Sequence, residues 1–287
     1  MYKKIKLSAE FCCNHMGNME IAKQMIEALA KFPSKYKVDI IKFQKRTPSL
    51  ILTEEEFNAP HPNPINAFGK NYGEHRNFLE FNIEQHKILK KYCEENGFIY
   101  SSSVFDRNSA DEILSIKPEI IKISSANNTD YELLKYIDKN FDGEIHISLG
   151  MTTIAEEEKI FDSIQKNRKN LVFYACTSAY PAKSGDICLL EIQRLKEKYK
   201  NQIKGIGFSG HHEGVLYDTA AAALGVDYIE RHFTIDKTFK GTDQAFSLTP
   251  DEFLQLSKNI KLITKDLTYK NPEILDSELP CRNKHKK

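Results

Sequence analysis

Polar and charged residues stand where a series of short apolar runs end. Glu10 interrupts the first run and is followed by Asn14 and His15. Lys42 and Gln44 close the second, Ser101, Ser102 and Ser103 the third, Lys122 with Ser124 and Ser125 the fourth, and Ser148 the fifth. Residues 176–180 follow the sixth, Ser209 and His211 end the seventh, and Glu230, Arg231 and His232 end the eighth. Taken singly, each has a plain structural explanation. A strand lysine lays its stem along apolar surface or pairs with a carboxylate. A strand histidine is a satisfied core residue, serines form turns, and Glu10 pairs with Arg231 inside the fold. Brought to one mouth, two lysines and several hydroxyls describe a cradle for phosphate or another oxyanion. His211 and His232 end adjacent runs, so two neutral imidazoles can share a divalent ion and leave positions open for water and substrate. His212 competes with His211, because neighbouring strand residues face opposite ways and spacing alone does not choose.

The runs that must position these groups are 5–11, 38–43, 99–104, 120–124, 144–149, 171–176, 203–208 and 227–233. Amphipathic helical patterns lie between them, at 19–32, 83–96, 130–139, 154–166, 189–200 and 217–224, with a short helix at 107–115. A last helix, 250–267, opens on a Thr–Pro start signal. Eight strands alternating with eight helices suit an open doubly wound sheet or a closed barrel. No GxGxxG follows the first strand, which weakens the dinucleotide-binding open sheet. The count of eight favours an α/β fold of the (β/α)8 TIM-barrel kind, one domain over residues 1–267, with its site at the C-terminal strand ends. An insert at 46–82, rich in Pro, Asn, Gly and aromatics, reads as a loop or lid. Residues 268–287 form a polar C-terminal tail whose RNKHKK end is expected to be solvated and disordered.

Composition narrows the partners. Among 287 residues, 41 Lys and Arg balance 40 Asp and Glu, for a formal charge of +1. Such a balance predicts neither nucleic-acid coating nor adhesion to a membrane surface, and a phosphorylated metabolite would be held by a few local cations. The six cysteines form no CxxC pair, which fits reduced thiols. MYKK runs straight into a strand without an apolar signal core, and no apolar stretch approaches the ~18 residues of a membrane span. The expected location is the cytoplasm.

The segments AEFCCNHMGN, DIIKFQK, IKISSANN, ISLGMTT, ACTSAYP, IGFSGHH and IERHFTID, in this order over residues 7 to about 260, resemble the sialic acid synthase (N-acetylneuraminate synthase) family. The resemblance implies a barrel transferase of carbohydrate biosynthesis. Its reaction condenses phosphoenolpyruvate with a sugar aldehyde, N-acetylmannosamine or a related aldose, giving a sialic-acid-like 3-deoxy-2-keto sugar acid and phosphate. It implies a divalent metal, manganese first, with magnesium and cobalt as alternatives. By position, Lys42, Ser103, Lys122, Ser125, Ser148 and Ser209 match phosphoenolpyruvate contacts. His211 and His232 match the metal ligands, which sets His212 aside. Glu10, Gln44, Tyr180 and Asp243 match acceptor-side positions, and Glu10, Lys42 and Lys122 are the expected catalytic groups.

Three departures stand out: Asn127 where the family commonly has an acidic residue, Ser178 where it has asparagine, and Gly210 where it has aspartate. Typical members also carry a C-terminal antifreeze-like domain that lends an arginine to the partner subunit's acceptor site. The sequence reads as a barrel without that domain, which leaves a homodimer open and makes the insert segment GKNYGEHRNF, through Arg76, the expected stand-in. Two other readings compete: a metal-dependent barrel hydrolase, and a non-catalytic homologue that binds a sugar or phosphoenolpyruvate. The hydrolase has no need of paired lysines with serines. The sensor would have kept both histidines and Glu10 without use for them.

Overall fold

Alternation along the short apolar runs sets the architecture. The computed structural model describes residues 4–270 and 273–286. In chain order it runs β1 (Lys6–Glu10), α1 (Met19–Ala30), β2 (Ile40–Lys45), α2 (Pro48–Ile51), α3 (Glu54–Asn58), α4 (Tyr72–Leu79), α5 (Ile83–Glu95) and β3 (Ile99–Val104). It continues through α6 (Arg107–Ser115), β4 (Ile120–Ile123), α7 (Tyr131–Asn140), β5 (Glu144–Ser148), α8 (Ile154–Ser163) and β6 (Leu171–Cys176). The remainder is α9 (Glu191–Lys198), β7 (Gly205–Gly210), α10 (Leu216–Ala223), β8 (Tyr228–His232), α11 (Pro250–Asp266) and α12 (Leu279–His285). The strands pair in parallel in chain order and β8 closes onto β1, so the chain forms the expected (β/α)8 TIM barrel.

Both faces of each strand are covered, and each face has its own chemistry. Ile41, Phe43, Ile121, Ile123 and Ile229 point to the helices and join the outer core. The opposite parity points inward, where Ile40, Ile120, Val172, Tyr174 and Tyr228 plug the barrel. Gly207 makes room for this plug, since a β-carbon there would lie 2.5 Å from the Tyr174 ring. One step further along the same inward rows the residues become Lys42, Lys122 and Glu230. The barrel therefore has an apolar floor and a charged rim.

Two strands are shifted from their sequence bounds, and the other six agree with theirs to within one residue at each end. β2 and β7 begin two residues later than expected, because the ladder starts at Ile40 opposite Ile99 and at Gly205 opposite Val172. Val38 is fully buried before pairing begins, so apolar burial runs ahead of the hydrogen-bonded strand. The shift carries Gln44 and Ser209 into the ladder.

The insert is a small helical roof rather than a bare loop. Thr53 and Glu56 form a reciprocal capping box at α3, and the Asn71 side chain accepts from Glu74 N at the start of α4. α4 packs on α2 and α3, and Lys240 Nζ donates to the Ala67 carbonyl, tying the roof to the segment after β8. The described residues of the tail are largely solvent-exposed as expected, but Arg282 to His285 are helical, in α12, with proline in its first turn, and Lys287 lies outside the described residues. Among the described residues no helix is long and apolar enough to cross a membrane.

Candidate active site

A cavity of about 290 Å³ opens at the C-terminal strand ends, roofed by α4, and the residues matched in the sequence to catalytic, substrate or metal roles all border it. Its base is a row of alternating charges. Lys42 Nζ lies 2.5 Å from Glu10 Oε2 and 3.5 Å from Glu230 Oε1, and donates to Ser103 Oγ at 3.1 Å. Lys122 Nζ donates to Glu230 Oε2 at 3.0 Å and sits 3.5 Å from the centre of the Tyr174 ring. Ser209 Oγ donates to Glu230 Oε1 at 3.3 Å.

All four charged groups are buried, so burial and partners compete in setting their protonation. Burial pushes the Glu230 carboxyl upward, but Lys122 and Lys42 outweigh it and hold Glu230 well below the usual carboxylate range. Burial would strip Lys42 of its proton, yet Glu10 and Glu230 hold it protonated above its ordinary value. Lys122 is lowered by burial, with Glu230 opposing and Lys42 adding to the fall. Burial raises Glu10, against the pull of Lys42. Two lysines thus face the cavity with carboxylates as their present counter-charges, which an incoming anion would have to replace.

The hydroxyls gather beside this row. Gly150 N donates to Ser125 Oγ at 3.1 Å, and a β-carbon on Gly150 would stand 2.7 Å from Ser125 Oγ and 2.3 Å from Ser178 Oγ. Glycine here lets Ser125, Ser178 and Cys176 converge at the end of β5, next to buried Ser148. Asn127 is not among the residues bordering the cavity. Its Nδ2 donates to the Phe105 carbonyl at 2.9 Å, so its side chain braces the loop after β3.

On the acceptor side, Gln44 Nε2 donates to Glu10 Oε1 at 3.0 Å, and its Oε1 accepts from Arg46 Nη2. Arg46 is paired with Glu80 at 2.8 Å and stacked 4.2 Å above the Phe105 ring. From the roof, Arg76 Nε and Nη2 donate to the Tyr72 hydroxyl at 2.9 and 2.6 Å. The Tyr180 ring lies 4.4 Å from that of His211.

The histidine ambiguity is resolved by geometry. His212 turns to the helix side, with Nε2 3.1 Å from Asp218 Oδ2, while His211 borders the cavity. His211 Nδ1 lies 3.0 Å from the Thr177 carbonyl, which only accepts, so in the neutral ring the proton sits on Nδ1 and Nε2 keeps its lone pair; against its burial, Cys176 and that carbonyl raise the pKa of the ring. The His211 and His232 rings are 5.4 Å apart. His232 Nδ1 is buried without a hydrogen-bond partner, with Asp243 Oδ2 3.8 Å away, and burial holds the ring neutral, at about 3. A buried, neutral, unpartnered imidazole nitrogen beside a carboxylate fits a divalent ion.

The suggested Glu10–Arg231 pair does not form. Arg231 faces the helices, bonded to Asp218, and donates to the His212 and Gly214 carbonyls at 2.6 and 2.7 Å. A side chain at Gly210 would collide with the His212 ring. Strand parity explains this, and it also marks residues to which the sequence reading gave no role. Glu230 shares a face with His232, Arg46 follows Gln44 by two, and Cys12 follows Glu10 by two, and all three border the cavity.

Comparison with known proteins gives consistent results. The sequence matches the NeuB family over residues 28–271. It is 30% identical to human N-acetylneuraminate-9-phosphate synthase over 276 residues, 96% of this chain and 75% of that protein. It is 32% identical to Campylobacter jejuni N,N'-diacetyllegionaminic acid synthase, covering 92% of this chain and 77% of that one. The crystal structure of N-acetylneuraminic acid (sialic acid) synthetase from Leptospira borgpetersenii in complex with citrate superposes with a TM-score of 0.81 at 27% identity, over 99% of this chain and 93% of that chain. With a family match across most of its length, the chain belongs to the NeuB family.

Proposed function

We propose that the barrel condenses phosphoenolpyruvate with the open-chain aldehyde of an amino sugar, N-acetylmannosamine or a related aldose. The products are a 3-deoxy-2-keto sugar acid and phosphate. The names of the relatives support a synthase of this class. The observation that carries the reading is the single cavity in which two buried lysines and converging hydroxyls lie beside a histidine pair. A hydrolase has no use for the first half, and a sensor none for the second.

Lys42 and Lys122 would neutralise the phosphate and carboxylate of phosphoenolpyruvate, with Ser103, Ser125, Ser148 and Ser209 fixing its oxygens. His211 and His232 would hold a divalent metal, manganese or an alternative, which supplies Lewis acidity to the aldehyde oxygen. C3 of phosphoenolpyruvate bonds to the aldehyde carbon, water adds at C2, and phosphate leaves with C–O cleavage. Glu10, held by Lys42 and Gln44, would move a proton or grip a sugar hydroxyl. Asp243, Tyr180 and Arg76 would meet the acceptor.

The test is phosphoenolpyruvate consumption and phosphate release against a panel of aldoses, with products read by mass spectrometry. Aldose-dependent release is expected, abolished by exhaustive chelation and restored by added metal. Release without any aldose would point to a hydrolase. Binding of both ligands without turnover would point to a sensor.

A further inference from the structure

Cys12 is not used in the chemistry above, yet it sits at the centre of the acceptor side. Its Sγ is 2.7 Å from Asp243 Oδ2 and 3.0 Å from Gln44 Nε2. Cys12 Sγ, an imidazole nitrogen of His232 and a carboxylate oxygen of Asp243 all lie within 4.8 Å of one another. Bonds of about 2.0–2.3 Å to one ion place neighbouring ligand atoms about 3–4 Å apart, so the three donors need only small shifts to share one. Of these three donors, His232 Nδ1 is buried without a hydrogen-bond partner.

The backbone adds an independent sign. Cys12 has φ of 46°, a left-handed conformation that glycine enters freely and other residues seldom adopt. A β-carbon is retained where none would be easier, and the thiol it carries is buried and aimed at a carboxylate. Strain held at a site lining a cavity points to a use for the side chain.

We infer that Cys12, His232 and Asp243 form a sulfur-bearing metal face, with Cys12 as a thiolate ligand of the site's divalent ion. This rests on the metal reading under Proposed function and sharpens it. On binding, the thiol releases its proton to solvent and the sulfur lone pair forms the bond to the metal. His211, whose ring centre is 5.4 Å from that of His232, is the neighbour able to close a further position. A thiolate beside imidazole and carboxylate favours zinc or cobalt over magnesium. The predicted specificity is therefore thiophilic, in contrast to a site of histidines and oxygen donors alone.

The experiment is a titration of metal-free, reduced protein with Co²⁺, followed by near-ultraviolet absorbance and by equilibrium dialysis. The wild-type chain should take up cobalt with a thiolate-to-cobalt charge-transfer band. Cys12→Ser and Cys12→Gly, the latter suited to the positive φ, should lose the band and bind cobalt about 10- to 100-fold more weakly, with Mg²⁺ binding little changed. Cys13→Ser should keep the band. Cobalt bound by the wild type without the band, or a band that survives in both Cys12 variants, overturns the thiolate ligand while leaving the histidine site intact. Wild-type protein that takes up no cobalt overturns both.

Discussion

At the scale of single residues the site is decided by Glu230, which holds Lys42 and Lys122 at once and is itself held ionised by them. Removing the charge but not the volume, as in Glu230→Gln, takes the paired carboxylate from buried Lys122 and leaves Lys42 with Glu10 alone. Breaking a buried pair of this kind costs about 3–5 kcal/mol, and urea unfolding of the variant should show a loss of that order. Stability within about 0.5 kcal/mol of the wild type would mean that solvent already screens the row. Lys122→Ala tests the other side of the same contacts. It deletes a charge aimed at an anion, so phosphoenolpyruvate affinity should fall by about 30- to 150-fold, or roughly 2–3 kcal/mol, with the sugar much less affected. Equal losses for both substrates would place Lys122 in a structural pair. Lys42 and Lys122 were legible because a charge breaking an apolar strand is conspicuous. Glu230 was noted at its strand end but given no role, because it stands beside Arg231 and His232 in a run of polar residues. Parity separates the three, since Arg231 alone points to the helices.

At the scale of elements, the barrel could be read from eight apolar runs and eight amphipathic patterns, and the strand ends from the polar groups that stop them. β2 and β7 were misplaced by two residues because hydrophobicity reports burial, whereas a strand is defined by its ladder. The roof was the least legible part. α2, α3 and α4 are only 4, 5 and 8 residues long, too short for a helical period to show. Their caps were the available signal, Thr53 three residues before Glu56 and Asn71 three before Glu74. The roof brings two arginines to the cavity, and their states differ. Arg46 is already neutralised by Glu80, whereas the hydrogen bonds of Arg76, among the described residues, run to the Tyr72 hydroxyl. Arg76 is thus oriented without a close ion pair among the described residues, although its charge reaches Asp243 and Glu80, which suits it to grip an amide or carboxylate oxygen of the acceptor with two donors. Steady-state kinetics of Arg76→Ala and Arg76→Lys should show acceptor KM raised in both, by about tenfold or more for the alanine variant, with phosphoenolpyruvate KM preserved. An unchanged acceptor KM would reduce α4 to a cover.

At the scale of the whole molecule, buried neutral histidines set the response to acid. His86 packs among Phe43, Phe81 and Tyr100, its Nδ1 2.7 Å from the Tyr100 hydroxyl. Burial, aided by Lys45, holds it down to about 3. His146, inside the barrel against Tyr174 and Tyr228, is lowered to about 4 by burial, with Lys122 adding to the fall and Glu144 opposing it. Unfolded, both would titrate near 6.5. Below that pH the unfolded chain takes up protons that the folded chain refuses, so their contribution to stability is complete above about 6.5 and is lost as pH falls towards 4 and 3. Glu230 and Glu144 are held low in the fold and begin to bind protons in the unfolded chain only near its carboxylate pKa of about 4.3. The interval from pH 6.5 to 5 therefore isolates the histidines. Each refuses up to one proton, so together they should cost up to about 1.4 kcal/mol per histidine for each pH unit in the lower part of that range. His86→Gln keeps a hydrogen-bonding partner for Tyr100 and cannot titrate. It should lower stability at pH 7 by about 1–2 kcal/mol through poorer packing, while making the slope between pH 6.5 and 5 shallower by the share of one histidine. Urea midpoints measured at half-unit steps decide the matter. A variant as steep as the wild type would mean that His86 is not among the groups that acid must charge before the barrel opens.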